Sequence, residues 1–118
     1  MSWPLARSYC QTQKAELASV TNSATNLFLT SLTHETSWIG GYRIGSTWRW
    51  TDGSPWNYTN WSFNNPSNYE GVQDKTSFNW KGVGSWDDCS KHVSYPFICN
   101  GKKINYHRIE SLKSHPPP

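Results

Sequence analysis

Long apolar runs are missing from this chain, which excludes a membrane-spanning helix. Aliphatic residues are scarce: hydrophobic residues of all kinds make up 35% and there is a single Met. Charge is scarce too, at 16% Asp, Glu, Lys and Arg, which excludes a coiled coil and a disordered acidic or basic chain. Cysteine is limited to Cys10, Cys89 and Cys99, with no CxxC pair and no Cys/His cluster, so a structural zinc site is not expected. His34, His92, His107 and His115 are scattered and lack a partnered Ser, Cys or carboxylate pair. No catalytic triad or acid/base dyad can be assembled from them, so an enzyme is not expected.

What is present is an unusual load of rings: eight Trp, six Tyr and four Phe in 118 residues. That length suits one domain, and few aliphatics with many aromatics imply a small core built on rings that each bury a large area. The formal charge of +3 is local. Residues 1–100 hold seven Lys/Arg against seven Asp/Glu, and the excess comes from Lys102, Lys103, Arg108 and Lys113 against Glu110. This divides the chain into a neutral domain, 1–100, and a basic tail, 101–118, ending in Pro116, Pro117 and Pro118. Without a basic helix or a basic and aromatic stripe, nucleic acid is not an expected partner.

The opening residues Met1, Ser2, Trp3 and Pro4 carry no apolar leader. They read either as a mature form or fragment, or as a cytosolic chain. Two sequons, Asn57-Tyr58-Thr59 and Asn60-Trp61-Ser62, lean towards the secretory route and a secreted or extracellular location, the competing reading being that both lie in the stretch "WNYTNW" as structural, unglycosylated side chains. Asn65-Pro66-Ser67 is excluded as a sequon by its Pro.

Ser2 as N-cap and Pro4 in the first turn predict a helix with Leu5, Ala6, Tyr9 and Cys10 at helical spacing. A second helix is expected from near Ser23, with Ala24, Leu27, Phe28 and Leu32 on one side. From Trp38 the period changes: Trp38 to Tyr42 and Trp48 to Trp50 read as strands, with Gly40 and Gly41 at close backbone approaches. Residues 51–76 form a long Asn/Ser/Gly/Pro-rich loop, pinned at intervals by Trp56, Trp61 and Phe63. Phe78 to Trp86 supplies a strand pair and Tyr95 to Cys99 a final strand.

The ordered motifs "ARSYC", "LASV", "WIGG", "WRWTDGSPWNYTNW", "NPSN", "SWDDC" and "FICN", spread over residues 3–100, resemble the C-type lectin-like domain family. The resemblance implies an α+β fold of two helices and two small antiparallel sheets with a long ligand-binding loop, and a disulfide between Cys10 and Cys99. It also marks departures. The family's first strand is missing, because the chain opens in the first helix, and this leaves an edge near Phe97 to Cys99 that the tail has little compositional reason to cover. The family's second, shorter disulfide is lost: the matching positions are Lys75 and Lys91, and Cys89 lies two residues early without an evident partner. Cys89 is then a free thiol, an intermolecular link or an inert half-buried cysteine.

In sugar-binding relatives a calcium ion at the loop tip is held by side chains that here correspond to Asn65, Ser67, Gln73, Asp87 and Asp88, with Pro66 at the family's cis-proline. Calcium needs six to eight oxygens with enough negative charge to replace its hydration. Only Asp87 and Asp88 are carboxylates, so the resemblance implies calcium that is weakly bound or absent. The competing reading makes Asn65, Ser67 and Asn68 turn residues and places Asp87 and Asp88 in a solvated loop. Trp38, Trp48, Trp50, Trp56 and Trp61 are expected in the framework, whereas Tyr69 and Phe63 are placed to stack on a ligand. The expected function is carbohydrate binding, with a glycan or glycoprotein as partner at Asn65, Ser67, Gln73, Asp87, Asp88 and Tyr69. The alternative is a calcium-independent domain that binds a protein or another surface.

Overall fold

The computed structural model describes residues 1–108, so Glu110, Lys113, His115 and the closing prolines of the expected tail lie outside the described residues. Helix α1 spans Trp3–Thr12, and the Ser2 hydroxyl caps it by accepting from the Leu5 amide at 3.5 Å. Its inward residues are Trp3, Ala6 and Cys10. Helix α2, Ser23–Thr30, starts behind Asn22, whose side chain accepts from the Thr25 amide at 2.7 Å. Its expected apolar face is corrected by the fold: Leu27 and Phe28 are 70% and 49% exposed, and the helix turns Asn26 and Leu29 inward. The reason is polar, because Asn26 accepts from the buried Trp86 indole at 2.8 Å and donates to the Gly84 carbonyl at 2.9 Å.

Seven strands form one sheet: β1 Glu16–Leu17, β2 Ser37–Ile44, β3 Thr47–Trp50, β4 Lys75–Phe78, β5 Trp86–Cys89, β6 Phe97–Asn100 and β7 Asn105–His107. They fall into two antiparallel groups. β2 pairs with β3 and β4, and β4 with β5. β6 pairs with β1 and β7. One parallel contact, Trp38 against Phe97, joins the groups. The fold is therefore α+β, as expected, with two helices and mixed sheet.

Alternation along β2 and β6 covers both faces of the sheet. Trp38, Phe97 and Cys99 join Trp3, Ala6, Cys10 and Leu17 on one side. Ile39 and Ile98 join Leu29, Trp50, Phe78 and Trp86 on the other. Cys10 and Cys99 are disulfide-bonded across a sequence separation of 89, with their Cα atoms 5.5 Å apart. Gly40 sits where a Cβ would lie 2.8 Å from the Leu17 carbonyl oxygen, so the glycine permits the contact between β1 and β2.

The structure shows what stands beside β6 and at the two lysines. β7, from the tail, pairs with β6 in the register Phe97–His107, Ile98–Tyr106 and Cys99–Asn105, so the ordered fold continues past residue 100 and β6 is not the last strand. Ile104 and Tyr106 pack on the second core cluster, and that burial holds a segment whose composition looked merely solvated. At the lost bridge, Lys75 and Lys91 both meet Trp3: the Lys75 ammonium lies 5.0 Å from the Trp3 ring centroid, and the Lys91 carbonyl accepts from the Trp3 amide at 3.0 Å. Cys89 is a buried free thiol, more enclosed than the half-buried position considered from the sequence.

Candidate functional site

The long loop is held to the body by rings. Trp56 lies 4.5 Å from Trp50 and 5.8 Å from Trp86, and Trp61 lies 5.6 Å from Trp86, all centroid to centroid. Trp38, Trp50 and Trp86 are buried, whereas Trp48, Trp56 and Trp61 are half-buried. Backbone bonds fasten the loop along β5: the Trp86 amide donates to the Asn60 carbonyl at 2.9 Å and the Ser62 amide to the Trp86 carbonyl at 2.8 Å.

Beyond this seam the chain "NNPSN" turns sharply. Asn64 and Asn68 adopt left-handed backbone with φ of 67° and 49°, a conformation Asn tolerates better than most residues, and the Asn65–Pro66 bond is cis. Asp88, fully buried on β5, receives the turn: its Oδ1 accepts from the Ser67 amide at 3.0 Å and its Oδ2 from the Asn68 amide. Gln73 closes the other side, its Oε1 accepting from the Ser67 hydroxyl at 2.9 Å and from the Tyr69 amide at 2.8 Å. Arg43 on β2 donates to the Asn68 side-chain oxygen at 2.8 Å, and the Asn65 amide donates to Ser62 Oγ at 2.7 Å.

An open cleft of about 850 Å³ lies between this turn and the β4–β5 connection, a size within the range of small-ligand sites. Asn65, Ser67, Tyr69, Gln73 and Asp87 line it. Asp88 does not: it sits behind the turn and holds it. Three rings stand around the opening, with Phe63 90%, Tyr69 67% and Trp80 38% exposed. Trp80 and Lys81 were not anticipated as site residues. The signal was available as a Trp in a glycine-bearing turn, "NWKGVGSW", immediately before β5. Lys81 places its ammonium 5.9 Å from the Trp80 ring centroid.

Asp87 and Asp88 are strand residues and not part of a solvated loop, which corrects that reading. Burial pushes the Asp87 carboxyl above its ordinary value, the Asp88 charge adds to this, and a hydrogen bond from Cys89 and the charge of Lys81 oppose it. The Cys89 thiol stands 3.4 Å from both Asp87 Oδ2 and Ser77 Oγ, and burial pushes its pKa up to about 11.

Of the oxygens expected to hold calcium, both of Asp88 and the one of Gln73 accept hydrogen bonds from the loop itself. Asp87 is the carboxylate left bordering the cleft. Among the described residues no group of three His, Cys, Asp or Glu side chains converges on a point that could hold a metal ion. No helix among the described residues is long and apolar enough to cross a membrane.

Residues 1–101 match the family model for the lectin C-type domain. The chain is 36% identical over 117 residues to ladderlectin of Oncorhynchus mykiss, an alignment covering 92% of this chain and 62% of that protein. It is 38% identical over 109 residues to a lectin of Pleurodeles waltl, covering 83% of this chain and 63% of that one. The chain thus spans less than two-thirds of the length of these curated relatives. Its fold is similar to that of a calcium-independent type II antifreeze protein, with a TM-score of 0.79 at 25% identity, covering 92% of this chain and 81% of the other.

Proposed function

The chain belongs to the C-type lectin domain family, and on that premise we propose that it is a secreted carbohydrate-binding module whose recognition does not depend on calcium. The ligand site is the cleft between the Asn65–Gln73 turn and the Trp80–Asp87 segment. Tyr69, Trp80 and Phe63 offer ring faces for the apolar face of a sugar. Asn65, Ser67 and the Asp87 carboxylate offer hydrogen bonds to its hydroxyls, and Asp88 and Gln73 hold the turn in shape. The observation that carries this reading is the use of the Asp88 and Gln73 oxygens as internal acceptors, which leaves one carboxylate at the cleft where calcium would need several charged oxygens. The disulfide between Cys10 and Cys99 fits an oxidising, extracellular setting.

A second reading has specific support. The similarity to a calcium-independent antifreeze protein, together with three exposed rings on one rim, favours recognition of an extended surface or a protein through the same cleft. A glycan array probed once with calcium and once with a chelator separates the two. Chelator-resistant glycan binding that falls at least tenfold in Trp80→Ala supports the sugar reading. Strictly calcium-dependent binding overturns the calcium-free part, and silence on all glycans moves the assignment to a surface or protein ligand.

A further inference from the structure

Two sequons lie three residues apart in the long loop, and the fold treats them in opposite ways. In Asn60-Trp61-Ser62 every part is engaged. Asn60 Nδ2 donates to the Gly84 carbonyl at 2.7 Å, and the Asn60 carbonyl accepts from the Trp86 amide at 2.9 Å. The Ser62 hydroxyl donates to the Trp86 carbonyl at 3.0 Å and accepts from Asn65 Nδ2 at 2.7 Å. Trp61, between them, is half-buried and forms a bridge with Trp86. A sugar on Asn60 Nδ2 would have to stand in the contact between the loop and Gly84, which also receives Asn26.

Asn57-Tyr58-Thr59 has the reverse arrangement. The loop alternates here: Trp56 and Tyr58 turn inward, with Tyr58 5.9 Å from the Trp86 ring, while Asn57 and Thr59 are exposed. Neither the Asn57 nor the Thr59 side chain has a hydrogen-bond partner among the described residues. Acceptor amide and sequon hydroxyl therefore face solvent together, and Asn57 is not part of the cleft lining.

We infer that Asn57 is an N-glycosylation site and that Asn60 is not, an assignment that rests on the secreted reading above for access to the compartment where the modification occurs. In the reaction, Asn57 Nδ2 forms a bond to the anomeric carbon of an oligosaccharide carried on a lipid pyrophosphate. The bond from that carbon to the pyrophosphate oxygen breaks, the lipid pyrophosphate leaves with the electron pair, and the amide nitrogen gives up one proton. A glycan on Asn60 Nδ2 would replace one of its two hydrogens and crowd the Gly84 contact, whereas one on Asn57 meets no neighbour, so the folded population carries its glycan at Asn57, outside the cleft.

The test is expression of the full chain in animal cells behind a cleavable leader, with peptide mapping of cell-associated and secreted protein. Enzymatic deglycosylation in heavy-oxygen water marks each formerly modified Asn as a labelled Asp. The expected result is a label at position 57 and none at 60, and loss of the mass shift in both Asn57→Gln and Thr59→Ala. Because those two side chains have no partners, both variants should keep the Cys10–Cys99 bridge and be exported like the unaltered chain. An unmodified Asn57, or a label at position 60 in exported protein, overturns the assignment. The supplied leader makes this outcome independent of the natural destination, which is read separately from the location of the endogenous protein.

Discussion

Replacing Asp88 with Ala removes the acceptor of two backbone N–H groups while leaving the strand pairing of β5 in place. A hydrogen bond to a charged group contributes about 1.5–3 kcal/mol, so the pair contributes about 3–6 kcal/mol before the relief of burying a carboxylate is subtracted. A net local loss of about 2–4 kcal/mol follows, or roughly a 30- to 1000-fold rise in the opening equilibrium of the turn. The loss should stay local, because Phe63, Tyr69 and Val72 are 90%, 67% and 56% exposed and the turn shares little core with the sheet. Native-state amide exchange followed by NMR reads this directly. The Ser67 and Asn68 amides should exchange faster by that factor in Asp88→Ala, and by less in Asp88→Asn, which keeps one oxygen. The β4 amides of Thr76 and Phe78 should change far less. Unchanged exchange at Ser67 and Asn68 would refute the role assigned to Asp88, and uniform acceleration across β4 and the turn would refute its locality.

The Asp87 carboxyl is raised, chiefly by burial. The fold therefore favours its protonated form: that contribution is complete below the unfolded value and is lost as pH rises through the raised value. Urea midpoints of the unaltered chain and Asp87→Asn should coincide near pH 3, and the variant should be relatively more stable at about pH 7; a constant offset at both pH values would contradict the shift. Cys89, with its thiol at about 11 and buried, should resist disulfide-exchange reagents at about pH 8 and release one thiol only on denaturation without reductant; rapid labelling of the native protein would refute its burial. Ending the chain after Lys103 strips β7 from β6 and removes Ile104 and Tyr106 from the second core cluster. This should cost about 2–4 kcal/mol in chemical denaturation and promote edge association, and an unchanged midpoint would show that β7 does not support the fold.

The elements that local chemistry dictates were readable from the residues. Ser2 and Pro4 marked the first helix, and the alternation from Trp38 to Tyr42 and around Trp48 to Trp50 marked two strands. The bond between Cys10 and Cys99 and the α+β architecture came through the resemblance. What escaped were features in which polar atoms replace apolar burial. Periodicity counted Leu27 and Phe28 as the inner face of α2, whereas Asn26 faces inward because an indole N–H needs an acceptor there. β7 was hidden in a polar tail because its pairing depends on an edge presented by β6, which is a property of the assembled sheet. At the site, the sequence supplied a set of candidate oxygens but not the donors within the loop that reach those of Asp88 and Gln73. That Asp88 and Gln73 face backbone and side-chain donors of their own loop follows from how the turn at Pro66 folds back over β5.

The claim on which the functional account depends is that the turn's acceptors are satisfied within the chain, so that the cleft is formed without a cation. Calorimetric titration of the folded, disulfide-bonded protein with calcium tests it most directly. The account predicts no saturable heat below the millimolar range, and stoichiometric binding at micromolar calcium would contradict it.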